Sequence, residues 1–310
     1  MMLRTDFDHL PSALRAELRL VTALLFEGFD ALCARKRQDR YKTAHIDKLI
    51  LYGHHVAEDQ ASVPCAAPIR LMAIVNHHRI AARRDDWAPI RDRLRRAWET
   101  GEIARPVRLA VHSLAHVNNA LIRGVPWFVK IATEGIALYQ ASSARLESPR
   151  RLPGVRHHEL GKAQFDRWYE RASDFLLGAG FYQGRGNLAM AALLLHQACE
   201  HLYQAVAWSL TLNGLRTHAL DELREVAEYL DMRLSLAWPQ DTLFERRAFA
   251  CIRRAYVEVR YGSSYRITAE ELAFAMDCTH ALHRLVHSLC HERLKAFARQ
   301  AQEAENACAA

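Results

Sequence analysis

Leu195-His196-Gln197-Ala198-Cys199-Glu200-His201-Leu202-Tyr203 lies inside an apolar run, residues 187–212, whose hydrophobic side chains recur at helical spacing. The run predicts a long helix stopped by Asn213-Gly214, where a glycine can take the chain out of the helix. Working outward, Phe165, Trp168, Ala172, Phe175 and Leu176 mark a helix before it, and Leu220, Leu223, Val226, Ala227 and Leu230 mark one after it. Thr242-x-x-Glu245 and Thr268-x-x-Glu271 are capping boxes opening two more, because a Thr hydroxyl and a Glu carboxylate satisfy first-turn amides reciprocally. Trp238-Pro239-Gln240-Asp241-Thr242 reads as the loop entering the first of these. Five amphipathic helices joined by short connections predict an antiparallel, up-down bundle.

Upstream, the period changes. Leu14, Leu18, Val21, Leu25 and Phe29 predict a helix over 12–32, and the polar run 34–45 leads into two strand-like stretches, 46–53 and 69–75. Asp85-Asp86 starts a helix with Trp87, Ile90, Leu94 and Trp98 on one face, ending near Gly101. A third short strand over 106–111 and a helix over 113–123, closed by Gly124, complete an α/β layer with a small sheet. The fold class is therefore α+β: a small mixed-sheet domain over residues 1–152, a linker over 142–158 rich in Ser, Pro, Arg and His, and an all-α bundle over 159–310 ending in an Ala-rich tail.

Half of the 310 residues are apolar, enough for two cores, and the formal net charge is +7. Residues 1–152 hold 24 basic and 16 acidic side chains, whereas 153–310 hold 18 and 19. That asymmetry suggests different partners for the two halves. Surface arginine fits nucleic acid or a phosphate-rich ligand, and equally a merely solvated face. Seven cysteines (33, 65, 199, 251, 278, 290 and 308) form no C-x-x-C pair, and no export signal precedes them, so reduced thiols and a cytoplasmic location are expected. No apolar run is long enough for a membrane span.

The phrase 195–203, together with Thr217-His218-Ala219-Leu220, Ala255-Tyr256-Val257-Glu258-Val259-Arg260-Tyr261 and Tyr265-Arg266-Ile267-Thr268, resembles the HEPN domain, a nucleotide-binding and often RNA-cleaving helical family. The first half resembles the minimal nucleotidyltransferase that bacteria and archaea often pair with it. His9-Leu10-Pro11, Trp127-Phe128 and Glu134-Gly135-Ile136-Ala137-Leu138-Tyr139 look like connecting phrases of the single-chain fusion.

The resemblance implies a palm whose first strand is followed by a phosphate-holding Gly-Ser turn and whose second carries Asp-x-Asp for metal. Here the turn is Gly53-His54, the aspartate positions are Pro68 and Arg70, and the third carboxylate position falls at Arg108. Cations need clustered carboxylates to bridge a triphosphate, so nucleotidyl transfer and a metal site are not expected. Two readings stand: a folding or dimer partner, or a phosphate site made by Lys48, Gly53, Arg70 and Arg108. RNA-cleaving HEPN families follow an Arg by His four to six residues later. Arg260 fits, but Ser264 and Tyr265 hold the histidine's place, so a catalytic set would be Arg260, Tyr265 and a distant His218. Arg260 also suits a helix C-terminus on dipole grounds alone.

The expected role is a toxin–antitoxin-like or stress/defence protein binding RNA or a nucleotide such as ATP, with little or no catalysis, as a homodimer through the bundle. An active metal-independent ribonuclease and a purely structural dimerisation module are the alternatives. Arg284 and His291 fit an Arg-x6-His spacing, seven residues apart, by coincidence on an Arg/His-rich helix. His196 and Glu200 are two ligands, too few for a metal, and suit inter-helix hydrogen bonding or a place on a dimer face. The pairs His54-His55, His77-His78 and His157-His158 are weak metal lures, since neighbours on a strand point apart.

Overall fold

The structure, a computed structural model, describes residues 3–60, 63–64, 67–141 and 144–309, apart from the side chains of 300–302 and 304–309. Cys65, the Cys308 side chain and linker residues 142–143 fall outside the described residues. The chain divides into two compact units, 1–151 and 152–310.

In the first unit, α1 (Ser12–Arg35) and a short α2 (Asp39–Lys42) precede β1 (Ile46–Tyr52), and a 3-10 turn (His54–Val56) leads toward β2 (Ile69–Val75). Then follow α3 (His78–Ala82), α4 (Arg84–Glu99), β3 (Val107–Ser113), α5 (Leu114–Ile122), α6 (Pro126–Glu134) and β4 (Ile136–Gln140). The sheet order is β3-β2-β1-β4, with β2 parallel to β3 and β1 antiparallel to both of its neighbours. Helices cover both faces of the central strands, which is why β1 and β2 read as continuous apolar runs rather than alternating ones. Leu49, Leu51, Leu71 and Ala73 pack with Leu18, Val21 and Leu25 of α1 and Trp87 and Ile90 of α4. Ile50, Met72 and Ile74 on the opposite face pack with Val117 and Leu121 of α5 and Phe128 of α6. Asp86 in the first turn of α4 is buried yet satisfied, accepting from Lys36 at 2.9 Å and from the Tyr41 hydroxyl. Burial alone would raise its carboxyl; those two donors and Arg83 reverse the shift and hold it low.

Several expectations change here. α2, α3, α6 and β4 are additional elements, the last two lying where the sequence suggested only connecting phrases. Trp98 is exposed, and Ala97 takes its place on the buried face of α4. None of the histidine pairs lies on a strand: they sit in the 3-10 turn, at the start of α3 and within a long helix.

The second unit consists of α7 (Gly154–Gly184), α8 (Leu188–Thr211), α9 (Leu220–Leu230), a 3-10 segment (Met232–Ala237), α10 (Leu243–Tyr261) and α11 (Ala269–Ala309). α7 starts inside the stretch read as linker, with His157 buried and stacked on Phe297 at 4.0 Å. α8 is the central helix, buried on nearly all sides through Leu195, Cys199, Leu202, Tyr203 and Val206. Asn187 caps it by accepting from the Met190 amide, 3.1 Å. It ends on Leu212 in the left-handed region (φ 50°), one residue before the predicted stop. Both capping boxes form, with Thr242 and Glu245 on α10 and Thr268 and Glu271 on α11 exchanging hydrogen bonds of 2.8–3.2 Å. Such caps contribute about 1 kcal/mol each. The five described cysteines are free thiols, and no helix among the described residues is long and apolar enough to cross a membrane.

Candidate functional site

α8 presents His196 and Glu200 one turn apart, and α10 presents Tyr256 and Arg260 at the same spacing. The loop between α8 and α9 brings His218 to them. That loop is held against α8 at both polar groups of one residue: Gln204 donates to the Leu215 carbonyl at 2.6 Å and accepts from the Leu215 amide at 3.2 Å. Gly214 lets it pass beneath Trp208, since an added Cβ would fall 1.9 Å from the indole Nε1. Thr217 accepts from the Ala219 amide, fixing the turn around His218.

The His218 Nδ1 lies 2.9 Å from a Glu200 oxygen. The Glu200 side chain is 8% exposed and that of His218 58%, so a buried carboxylate meets an open imidazole. An ionised carboxylate only accepts, which places the His218 proton on Nδ1 and leaves the Nε2 lone pair as the basic atom. Burial raises the Glu200 carboxyl, and His196 and His218 facing it outweigh this, holding it below its ordinary value. Its other oxygen accepts from Gln197 at 3.3 Å and stands 3.7 Å from His196 Nε2, beyond hydrogen-bond length. His196 spends Nδ1 on the Ile252 carbonyl, 3.0 Å, the inter-helix bond its position suggested.

Tyr256 connects these groups. Its ring stacks on His218 (centroids 4.7 Å, planes 17° apart) and on His196 (5.2 Å, 22°). The Arg260 guanidinium lies 4.8 Å from the same ring and 4.9 Å from that of Tyr261. A cation over an aromatic face is oriented without losing its charge. Arg260 and His218, 42 residues apart, therefore meet around one tyrosine. Among the described residues, no group of three or more His, Cys, Asp or Glu side chains converges as a metal site.

Tyr265 does not join the cluster. It is a core residue whose hydroxyl donates to the Cys251 carbonyl at 3.1 Å, and burial pushes that hydroxyl well up. With its proton committed and its ionisation suppressed, it is no proton carrier, which corrects its assignment beside Arg260. Glu200 and Tyr256 were not read as site residues, although the i,i+4 spacing of each with a candidate was visible.

In the first unit, Tyr52, Arg70 and Arg108 form one row across β1, β2 and β3. The aliphatic stem of Arg70 lies over Gly53 (φ +89°), where a Cβ would fall 2.9 Å from its Cδ. Gly53 is thus required by its backbone conformation and by close approach of the arginine. Lys48 is on the same sheet face but four residues along β1, roughly 13 Å away. It is buried, its ammonium reaches Gln140 at 3.5 Å, and burial lowers it against the opposing charge of Asp47. Gly53, Arg70 and Arg108 come together; Lys48 does not join them.

The family comparison matches residues 165–289 to the HEPN domain. No curated protein matches the chain. The matched span runs from α7 into α11 and contains the whole Glu200–His218–Tyr256–Arg260 cluster. The helical unit of this chain carries a HEPN domain.

Proposed function

We propose that this HEPN domain binds RNA through Arg260 and cleaves it without metal, with His218 moving the proton. The observation that carries the reading is the meeting of His218 and Arg260 around Tyr256, with Glu200 orienting the imidazole. His218 Nε2 takes the proton of a ribose 2′-hydroxyl, and the freed oxygen forms a bond to the adjacent phosphorus. The bond from phosphorus to the 5′-oxygen breaks, that oxygen takes a proton from His218 or water, and a 2′,3′-cyclic phosphate results. Arg260 offsets charge growing on the non-bridging oxygens. General base catalysis of this kind contributes typically about 10²–10⁴-fold.

The first unit acts in this reading as a nucleotidyltransferase-like domain without nucleotidyl transfer, because Pro68, Arg70 and Arg108 stand where carboxylates would hold cations. Residues 1–152 and 159–310 serve as its two functional parts in a homodimer of toxin–antitoxin or stress/defence type. A second reading, phosphate capture without turnover, is favoured by the single exposed imidazole at the cluster, since His196 is fully enclosed.

The test is RNA cleavage in excess EDTA with end-group analysis. Cyclic-phosphate ends from the parent, lost in Arg260→Ala and in His218→Ala, are expected. Intact RNA that still binds would leave only the capture reading, and absence of any thermal shift with RNA, ATP or GTP would overturn both. AMP transfer with Mg²⁺ or Mn²⁺ would overturn the reading of the first unit.

A further inference from the structure

Arg260 is not an isolated cation on this unit. Six residues further on, past Gly262, Arg266 borders a shallow, open surface cavity of about 460 Å³ whose other side is the turn from α7 to α8, including Arg185. The backbone between Arg260 and Arg266 reaches at most roughly 20 Å, a few nucleotides of RNA. Of the eight residues lining the cavity, two are arginines and none is acidic, although the unit as a whole is nearly neutral. Both arginines are exposed. Arg266 uses one Nη on the Tyr265 carbonyl, which steadies it without neutralising it.

Each end of this stretch also offers an open ring. Tyr261, 74% exposed, stands beside Arg260, and Phe181, 60% exposed, lies 5.6 Å from the Arg185 guanidinium. Large aromatics left in water beside arginines match what an unpaired strand requires: phosphate neutralisation alternating with base stacking, tolerant of sequence. A duplex keeps its bases stacked on one another and offers these rings nothing. A free mononucleotide has one base and cannot use both ends.

We infer that the Arg266–Arg185 cavity is a second phosphate subsite, and that single-stranded RNA runs from Arg260 and Tyr261 through it to Phe181. This names the substrate class of the site proposed above and rests on that reading. The cavity takes the phosphate and sugar of a flanking nucleotide, and Phe181 stacks the base beyond it.

The experiment uses the full chain and a short fluorescein-labelled 2′-O-methyl oligoribonucleotide, which binds without being cleaved. Anisotropy is read across a salt series for the parent, Arg185→Ala/Arg266→Ala, Phe181→Ala and Arg260→Ala, each first shown to keep the parent urea midpoint. The double variant is expected to weaken binding at least about tenfold and to flatten the log–log salt slope by about 1.4, as for two lost single-strand phosphate contacts. Phe181→Ala is expected to weaken it about tenfold with the slope unchanged. A duplex of the same sequence should bind much more weakly. Parent-like affinity and slope in the double variant, or equal affinity for duplex, would overturn the inference. If Arg260→Ala alone binds and cleaves normally while the double variant does not, the subsite stands and the assignment of Arg260 fails.

Discussion

Gly214→Ala tests whether the loop carrying His218 is held as described. The added Cβ would lie 1.9, 2.4 and 2.6 Å from Nε1, Cε2 and Cδ1 of Trp208. Carbon contacts are comfortable at about 3.5–4.0 Å, so loop and indole must separate by roughly 1.5 Å. The separation has nowhere easy to go. One residue on, Leu215 is bound at both its amide and its carbonyl by Gln204, which is buried on the central helix. Overpacking of this kind costs about 1–3 kcal/mol. Straining or losing a Gln204 bond adds about 1 kcal/mol more. The expected destabilisation is therefore about 2–4 kcal/mol, with His218 drawn away from Glu200.

The assay is urea unfolding of the full chain followed by tryptophan fluorescence, with a separate transition allowed for each unit. At an m value of about 2 kcal/mol/M the midpoint of the helical unit should fall by about 1–2 M. Gly180→Ala is the matched control. It sits within α7, an added Cβ there meets nothing within 4 Å, and alanine's higher helix propensity should stabilise by up to about 1 kcal/mol. Opposite signs for one chemical change isolate the Trp208 contact. A Gly214→Ala protein within about 0.5 kcal/mol of the parent, with cleavage unchanged, would refute the described hold on His218.

Burial lowers His157, His201 and His283 in the helical unit. Its folded state therefore binds fewer protons than the unfolded chain, and the associated stability is complete above the unfolded value of about 6.5 and is lost as pH falls below it. The urea midpoint of this unit should drop between pH 7.5 and 5.5, and a flat midpoint across that range would contradict the burial of these rings. Thr268→Ala should cost about 1–2 kcal/mol, more than Thr242→Ala, because Glu271 of its capping box is buried while Glu245 is half-buried; equal costs by urea titration would show that burial of the box is immaterial. Glu200→Met should cost less than about 3 kcal/mol, because the partner it leaves behind, His218, is more than half exposed and is not stranded as a buried charge. RNA cleavage should nonetheless be lost, and a cost above about 3 kcal/mol with cleavage intact would make the carboxylate structural.

The bundle was legible because its signals are local. Stripes at helical spacing and two Thr-x-x-Glu boxes depend on residues within a turn or two of each other, and they survive into the fold. The first unit hid more. β4 is a five-residue edge strand with only Ile136 and Ala137 buried, and its pairing partner β1 lies some ninety residues upstream. α6 begins at Pro126, a residue as characteristic of turns as of the first helical position. The end of α8 was misplaced by one residue because a leucine, not the nearby glycine, takes the left-handed conformation.

At the site, the boundary of legibility is physical. Arg260 could be picked out by its place at a helix end, but what completes it arrives from another loop, and no spacing rule encodes a meeting across 42 residues. Tyr265 misled for the converse reason: it follows Arg260 at the right distance, yet its ring is worth more in the core, with its hydroxyl paired to Cys251. Glu200 is the residue whose presence is hardest to explain by folding. It is a carboxylate on the most buried helix of the unit, where desolvation opposes its charge and a methionine would pack without that cost. Its compensation comes from the enclosed His196, from Gln197 and from His218, which is more than half exposed and contributes little to the core. A buried charge facing an open imidazole is poor use of a core position for stability and good use of it for holding one tautomer in place. That asymmetry favours a site selected for proton transfer over a remnant retained only for assembly.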